Sequence, residues 1–129
     1  MNKTPIYQVD AFTRKLYGGN PAAVCPLDEW LDDEVMQAIA AENNLAETAF
    51  FIPGGANGED YALRWFTPTD EARLCGHATL ATAYIIFKKL NPSLKNVSFS
   101  YMSGRLDVSK IDDGTLVLDF PVLPPVPVE

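Results

Sequence analysis

The stretch ARLCGHATLATAYIIF, residues 72–87, constrains this chain more than any other. After Arg73 it carries no formally charged side chain until Lys88. Its one clearly polar interruption is His77, the only histidine in the sequence. As a helix, the uncharged run would reach about 20 Å, short of the ~30 Å hydrocarbon core of a bilayer. A helix that is apolar on nearly every face, yet too short for a membrane, belongs inside a protein. The remaining residues must therefore wrap it.

They have the pattern to do so. IYQVDAF alternates with period two, as a half-buried strand does, and a Gly18-Gly19-Asn20-Pro21 turn leads to a second short strand, AAVCPL. Asp32 and Asp33 can cap an amphipathic helix over about 32–43, with Val35, Met36, Ile39 and Ala40 as its apolar stripe and Asn43-Asn44 as its stop. ETAFFIP and YALRWFTPT read as strands, the latter stopped by Pro68 and followed by a loop, TPTDEARLC. Beyond the apolar helix, about residues 76–89, come NVSFSYM, a Ser103-Gly104 turn, RLDVSKI, an Asp113-Gly114 turn and TLVLDFP. Asp-Gly between alternating runs is a strong hairpin signal. The predicted order is β-β-α-β-β-α-β-β-β, an α+β fold in which a mixed sheet curls around one central helix. Residues 121–129 are proline-rich and read as an exit segment from a single domain over 1–129.

Charge and composition narrow the function. With 129 residues, a net charge of −7 and ten scattered Lys and Arg, the chain lacks the basic stripe that nucleic acid or an anionic membrane requires. There is no GxGxxG after a strand, no P-loop, and no CxxC or zinc spacing in the two cysteines. No secretory signal opens the sequence, so a cytoplasmic setting with reduced thiols is expected, with no metal and no cofactor.

His77 is the first candidate for chemistry. At the head of the buried helix it would sit among unpaired backbone N–H groups and the positive end of the macrodipole, which favour an anion and a neutral imidazole. Gly76 would let a ligand approach the backbone closely. The alternative is that His77 merely caps or packs. Glu47, in NNLAETAFF, has apolar neighbours and lies where a helix hands over to a strand, a setting suited to a general base. On its own it could equally be solvated, and Glu42 is left to solvent. Cys75 could be a thiol acid/base, because a helix N-terminus lowers a thiol pKa, or a small buried hydrophobe. Cys25 reads as core, as do Trp65 and Phe66. Asn20 could bind a ligand or simply make its turn.

Taken together, VDAFTRKLYGGNPAAVC, NNLAETAFF, LRWFTPTDEARLCGHATLATA, SGRLDV and LDFPVLPP resemble the phenazine biosynthesis PhzF-like family, from residue 6 to about 125. The resemblance implies the fold of diaminopimelate epimerase. It implies a cofactor-independent isomerase that moves protons on a small carboxylated substrate; the best-understood members act on a dihydro-hydroxyanthranilate. The family's catalytic glutamate falls on Glu47 and its active-site histidine on His77. Asn20, Cys75, Gly76 and Ala78 are then expected to touch the substrate. A cysteine in the related epimerases aligns with Cys75, which keeps a cysteine-dependent racemase open. Full members carry two similar domains with the site between them, so this chain corresponds to the N-terminal one. Either a missing second domain or a second copy in a homodimer would complete the cleft. A non-catalytic module that binds a small carboxylate is the alternative.

Overall fold

A computed structural model describes residues 6–9, 22–55, 58–73, 75–102, 104–111 and 115–119. The Gly18–Pro21 and Asp113-Gly114 turns, Ser103 and the segment 121–129 lie outside the described residues.

The chain runs β1 (Tyr7–Val9), β2 (Ala22–Pro26), α1 (Asp33–Asn43), β3 (Glu47–Pro53), β4 (Tyr61–Phe66), β5 (Glu71–Ala72), α2 (Gly76–Ile85), β6 (Asn96–Tyr101), β7 (Gly104–Ile111) and β8 (Thr115–Asp119). One mixed sheet holds every strand in the order β1-β2-β3-β4-β6-β7-β8, with β5 paired to β4. Among the described residues only β2·β3 and β4·β6 are parallel. These are the two pairs bridged by a helix, as parallel neighbours require a crossover. The β4·β6 ladder is just Tyr61↔Phe99 and Ala62↔Ser100. Asp60 extends the joint, accepting from the Ser98 amide at 2.9 Å while its own amide donates to Ser98 Oγ at 2.9 Å.

The expected α+β architecture is therefore present, a sheet curled around α2. Six of the ten α2 residues are buried, namely Ala78, Thr79, Ala81, Thr82, Ala83 and Ile85. The alanines let the strands approach the helix closely. A stripe of His77, Leu80, Tyr84 and Lys88 remains partly or fully exposed. The helix continues as a π turn over Ile86–Leu90, closed by the Asn91 amide donating to the Ile86 carbonyl at 2.7 Å.

Strand parity divides the core. On β3, Ala49 and Phe51 pack towards α2, with Val24, Leu63, Trp65 and Phe99 from neighbouring strands. Phe50 faces the other side and joins Cys25, Phe66, Met36 and Ala40 beneath α1. Cys25, Trp65 and Phe66 are thus core, as expected.

Three local expectations need correction. Val35 is 45% exposed, because α1 rests on the outer face of the sheet through a narrow Met36/Ala40 contact. Asp32 occupies the N-cap position without a side-chain capping bond, and Asp33 pairs instead with Arg64 at 3.0 Å. The segment after Pro68 is not wholly loop. Glu71 and Ala72 form β5, held by a two-pronged ion pair from the Arg64 guanidinium to both Glu71 oxygens at 2.8 Å. Arg64 also lies over the Trp30 and Phe66 rings.

Candidate active site

Glu47 is the first residue of β3, and parity puts it on the face of Ala49 and Phe51, towards α2. The turn before it sets where that strand begins. Asn44 takes the left-handed conformation (φ 53°) that ends α1, and its amide donates to the Ala40 carbonyl. Asparagine tolerates that region better than most residues. Asn43 Nδ2 then donates to Thr48 Oγ1 at 3.2 Å, tying the end of the helix to the strand beside Glu47. Glu42 is exposed, as expected.

The head of α2 is fixed from the opposite side. Buried Trp65 donates its indole N–H to Thr79 Oγ1 at 3.1 Å, and Thr79 Oγ1 donates to the Cys75 carbonyl at 2.7 Å. The Thr79 amide reaches the same carbonyl at 3.1 Å. This chain of bonds links β4 to the first turn of α2. Sequence signals mark Trp65 as core and give Thr79 no role. The signal available was that a buried indole N–H needs an acceptor.

The two constructions meet. Glu47 Oε1 lies 2.7 Å from His77 Nε2, and both atoms are shut off from solvent. The approach is off-line, and neither atom has an aligned hydrogen-bond partner among the described residues. Catalytic contacts in unliganded sites are often misaligned in this way and tighten on binding. The rest of each side chain stays reachable, at 19% exposure for Glu47 and 29% for His77. The other ring nitrogen, Nδ1, is 3.6 Å from Cys75 Sγ.

Of the two readings of Cys75, the structure fits the small buried side chain rather than the reactive thiol. Burial pushes it up to about 11, and the nearby Glu47 carboxylate acts in the same direction. The backbone N–H groups of Ala78 and His77 face the sulfur and pull the other way, without prevailing. Two of the amides expected to receive a ligand thus already face the thiol. Ala78 is fully buried, and its backbone N–H faces the Cys75 sulfur rather than open space. Gly76 opens the helix as expected, and Asn20 lies outside the described residues. Burial likewise pushes Cys25 up to about 12.

Donor atoms of Glu47, Cys75 and His77 all lie within 4.8 Å of one another, a possible ligand set for a metal ion. Yet the closest contacts use opposite nitrogens of one imidazole. Sγ and a Glu47 carboxylate oxygen nevertheless lie within 4.8 Å of each other, so the three groups converge rather than stand in a line. Two surface hollows beside Arg64 and Glu71 contain none of these three residues.

A mixed sheet curled around an engulfed helix is the architecture of the diaminopimelate epimerase-like fold. Solved structures agree. A PhzF-family phenazine biosynthesis protein of Enterococcus faecalis superposes with a TM-score of 0.77 at 50% identity, over 84% of this chain and 41% of that one. A Pseudomonas aeruginosa protein described as a predicted epimerase gives 0.68 at 25% identity, over 87% and 40%. The chain belongs to the phenazine biosynthesis-like PhzC-PhzF family, whose model matches residues 9–128. Among its relatives are an uncharacterised isomerase of Pseudomonas aeruginosa, 56% identical over 95% of this chain and 46% of that protein, and the mouse phenazine biosynthesis-like domain-containing protein 1, 45% identical over 97% and 45%. The chain spans a little under half the length of these relatives. Among the described residues, no helix is long and apolar enough to cross a membrane.

Proposed function

We propose that this chain carries the proton-transferring half of a cofactor-independent isomerase acting on a small carboxylated metabolite. The observation that carries the reading is the 2.7 Å approach of Glu47 Oε1 to His77 Nε2 at the head of α2. Glu47 takes a proton from a substrate carbon, and the electron pair left behind moves into the adjoining π-system. Reprotonation at a second carbon, by the same carboxyl or by a group across the cleft, completes the isomerisation without gain or loss of atoms. His77 holds one carboxylate oxygen in place and leaves the other for the substrate. Proton transfer by a positioned carboxylate is worth about 100- to 10,000-fold in rate.

The second wall of the cleft comes from a further domain or from a second copy of the chain. The stripe His77, Leu80, Tyr84 and Lys88 is the side of α2 that such a wall would cover. Light scattering gives the solution mass. A dimer stable on dilution supports completion by a second copy, and a monomer assigns the wall to a further domain. A second reading is a half-site that binds small carboxylates without turnover, since the described residues supply only one wall of a cleft.

Deuterium uptake from D2O separates the two readings, with dihydro-hydroxyanthranilate and a panel of small unsaturated carboxylates as probes. Incorporation that depends on Glu47 supports the isomerase. Binding without incorporation supports the half-site.

A further inference from the structure

The imidazole of His77 is approached by a different group at each nitrogen, and this has a chemical consequence. Cys75 Sγ lies 3.6 Å from Nδ1, within reach of a thiol hydrogen bond, and Glu47 Oε1 lies 2.7 Å from Nε2. A neutral imidazole carries one proton, and the group facing one nitrogen decides which nitrogen holds it. We propose that Cys75 is a positioning residue for the isomerase site: its S–H donates to Nδ1 of His77, and so places the ring proton on Nε2, facing Glu47. The role assigned to Glu47 rests on the functional reading above; the assignment of the proton does not.

The argument runs through what each alternative would bring together. With the S–H turned to Nδ1, a ring proton there would meet it donor against donor; with the S–H turned to the Glu47 carboxylate, which also lies within its reach, that conflict goes, but a proton on Nδ1 would still leave Nε2 as a lone pair against a carboxylate oxygen. A doubly protonated ring would repeat the first conflict unless the thiol turned away or ionised. Ionisation is opposed by the burial of Cys75, which is 8% exposed, and by the carboxylate of Glu47 nearby. The arrangement that sets a donor against an acceptor at each nitrogen is S–H to Nδ1 and Nε2–H towards Oε1, the latter close at 2.7 Å but off-line. The thiol then need not touch the substrate to matter. It keeps the imidazole turned so that Nε2–H faces Glu47.

The geometry of Cys75 suits a fixed donor. Its carbonyl is bound twice by Thr79, which in turn accepts from buried Trp65, so the residue that carries the thiol is anchored to the sheet. Serine could hold a donor there, and alanine could not.

Because His77 is the only histidine, the test is a single set of signals. Histidine-selective 15N labelling of the chain, without substrate, and a long-range 1H–15N correlation spectrum distinguish Nε2–H, Nδ1–H and the doubly protonated ring. The wild type should show Nε2–H at neutral pH. Cys75→Ala should lose that preference, giving a mixture of forms or a charged ring, while Cys75→Ser should keep it. Nδ1–H or a doubly protonated ring in the wild type would overturn the proposal. So would an unchanged Nε2–H pattern in Cys75→Ala, which would mean that Glu47 alone sets the proton. If Cys75→Ala does not fold, Cys75→Ser decides: Nδ1–H there overturns the proposal and Nε2–H upholds it. The spectrum needs no turnover, so absence of deuterium exchange would remove the isomerase reading and leave this one standing.

Discussion

Glu47 Oε1 and His77 Nε2 stand 2.7 Å apart although thirty residues separate them in the chain. One belongs to the first residue of a strand and the other to the first turn of the helix that the sheet encloses. Two sets of local bonds hold them there, Asn44 and Asn43 behind the strand, and Trp65 and Thr79 behind the helix. Each part of that arrangement makes a prediction.

Glu47→Gln should lower solvent-proton exchange by at least about 100-fold, because the amide cannot accept the substrate proton. The side chain keeps its shape and is partly exposed, so thermal unfolding should move little. Deuterium incorporation followed by mass spectrometry checks the first point, and circular dichroism the second. Undiminished exchange would remove Glu47 from the mechanism.

Thr79→Val keeps the volume of the side chain but leaves the Trp65 indole N–H buried without its acceptor. The expected cost is about 1–3 kcal/mol. In a double-mutant cycle with Trp65→Phe, the pair should cost less than the sum of the single changes, since the second removes the stranded donor. Urea unfolding of the four proteins measures it. Strict additivity would show that the bond contributes nothing beyond packing.

Arg64→Lys should destabilise the pairing of β5 with β4. The guanidinium reaches both oxygens of Glu71 and lies over two aromatic rings, and an ammonium reproduces neither geometry. About 1–2 kcal/mol is expected, at the lower end for a charged hydrogen bond because Arg64 is partly exposed. Hydrogen exchange at the amides of Glu71 and Ala72 should accelerate. Unchanged protection there would show that the ladder holds without the ion pair.

Cys25 predicts an alkaline loss of stability. Its folded thiol is pushed from the ordinary 9.0 up to about 12 by burial. Below pH 9 both states are protonated and nothing is lost. As pH rises from 9 towards 12 the unfolded thiol ionises while the folded one keeps its proton, so unfolding is favoured. The gap corresponds to at most about 4 kcal/mol. Denaturant unfolding of wild type and Cys25→Ala at stepped pH should show a shallower alkaline decline in the variant. Parallel curves would mean that the buried thiol is not the group responsible.

Much of the fold was legible in the sequence because its signals are local. An uncharged run of that length admits a buried helix and little else, and Glu47, Ala49 and Phe51 share one strand face by period alone. The candidate pair was named through the family resemblance, since Glu47 read alone could equally be solvated and His77 could equally cap or pack. The weaker readings failed where tertiary contacts compete with local preference. Asp33 left capping for Arg64, Val35 lost its place in the stripe, and Glu71 became strand through one ion pair.

The chemistry at the site belongs to the tertiary structure. By itself, the sequence determined that a helix must be enclosed and which residues stand at its head. It placed Cys75 where a helix terminus alone would favour a thiolate. Folding reversed that preference, because enclosing the helix also removed the sulfur from water and set Glu47 near it, and desolvation outweighed the two backbone N–H groups. Which nitrogen of His77 faces which neighbour was likewise decided only when the strand and the helix met. Period and propensity act along the chain, whereas proton positions depend on groups that the chain brings together from a distance.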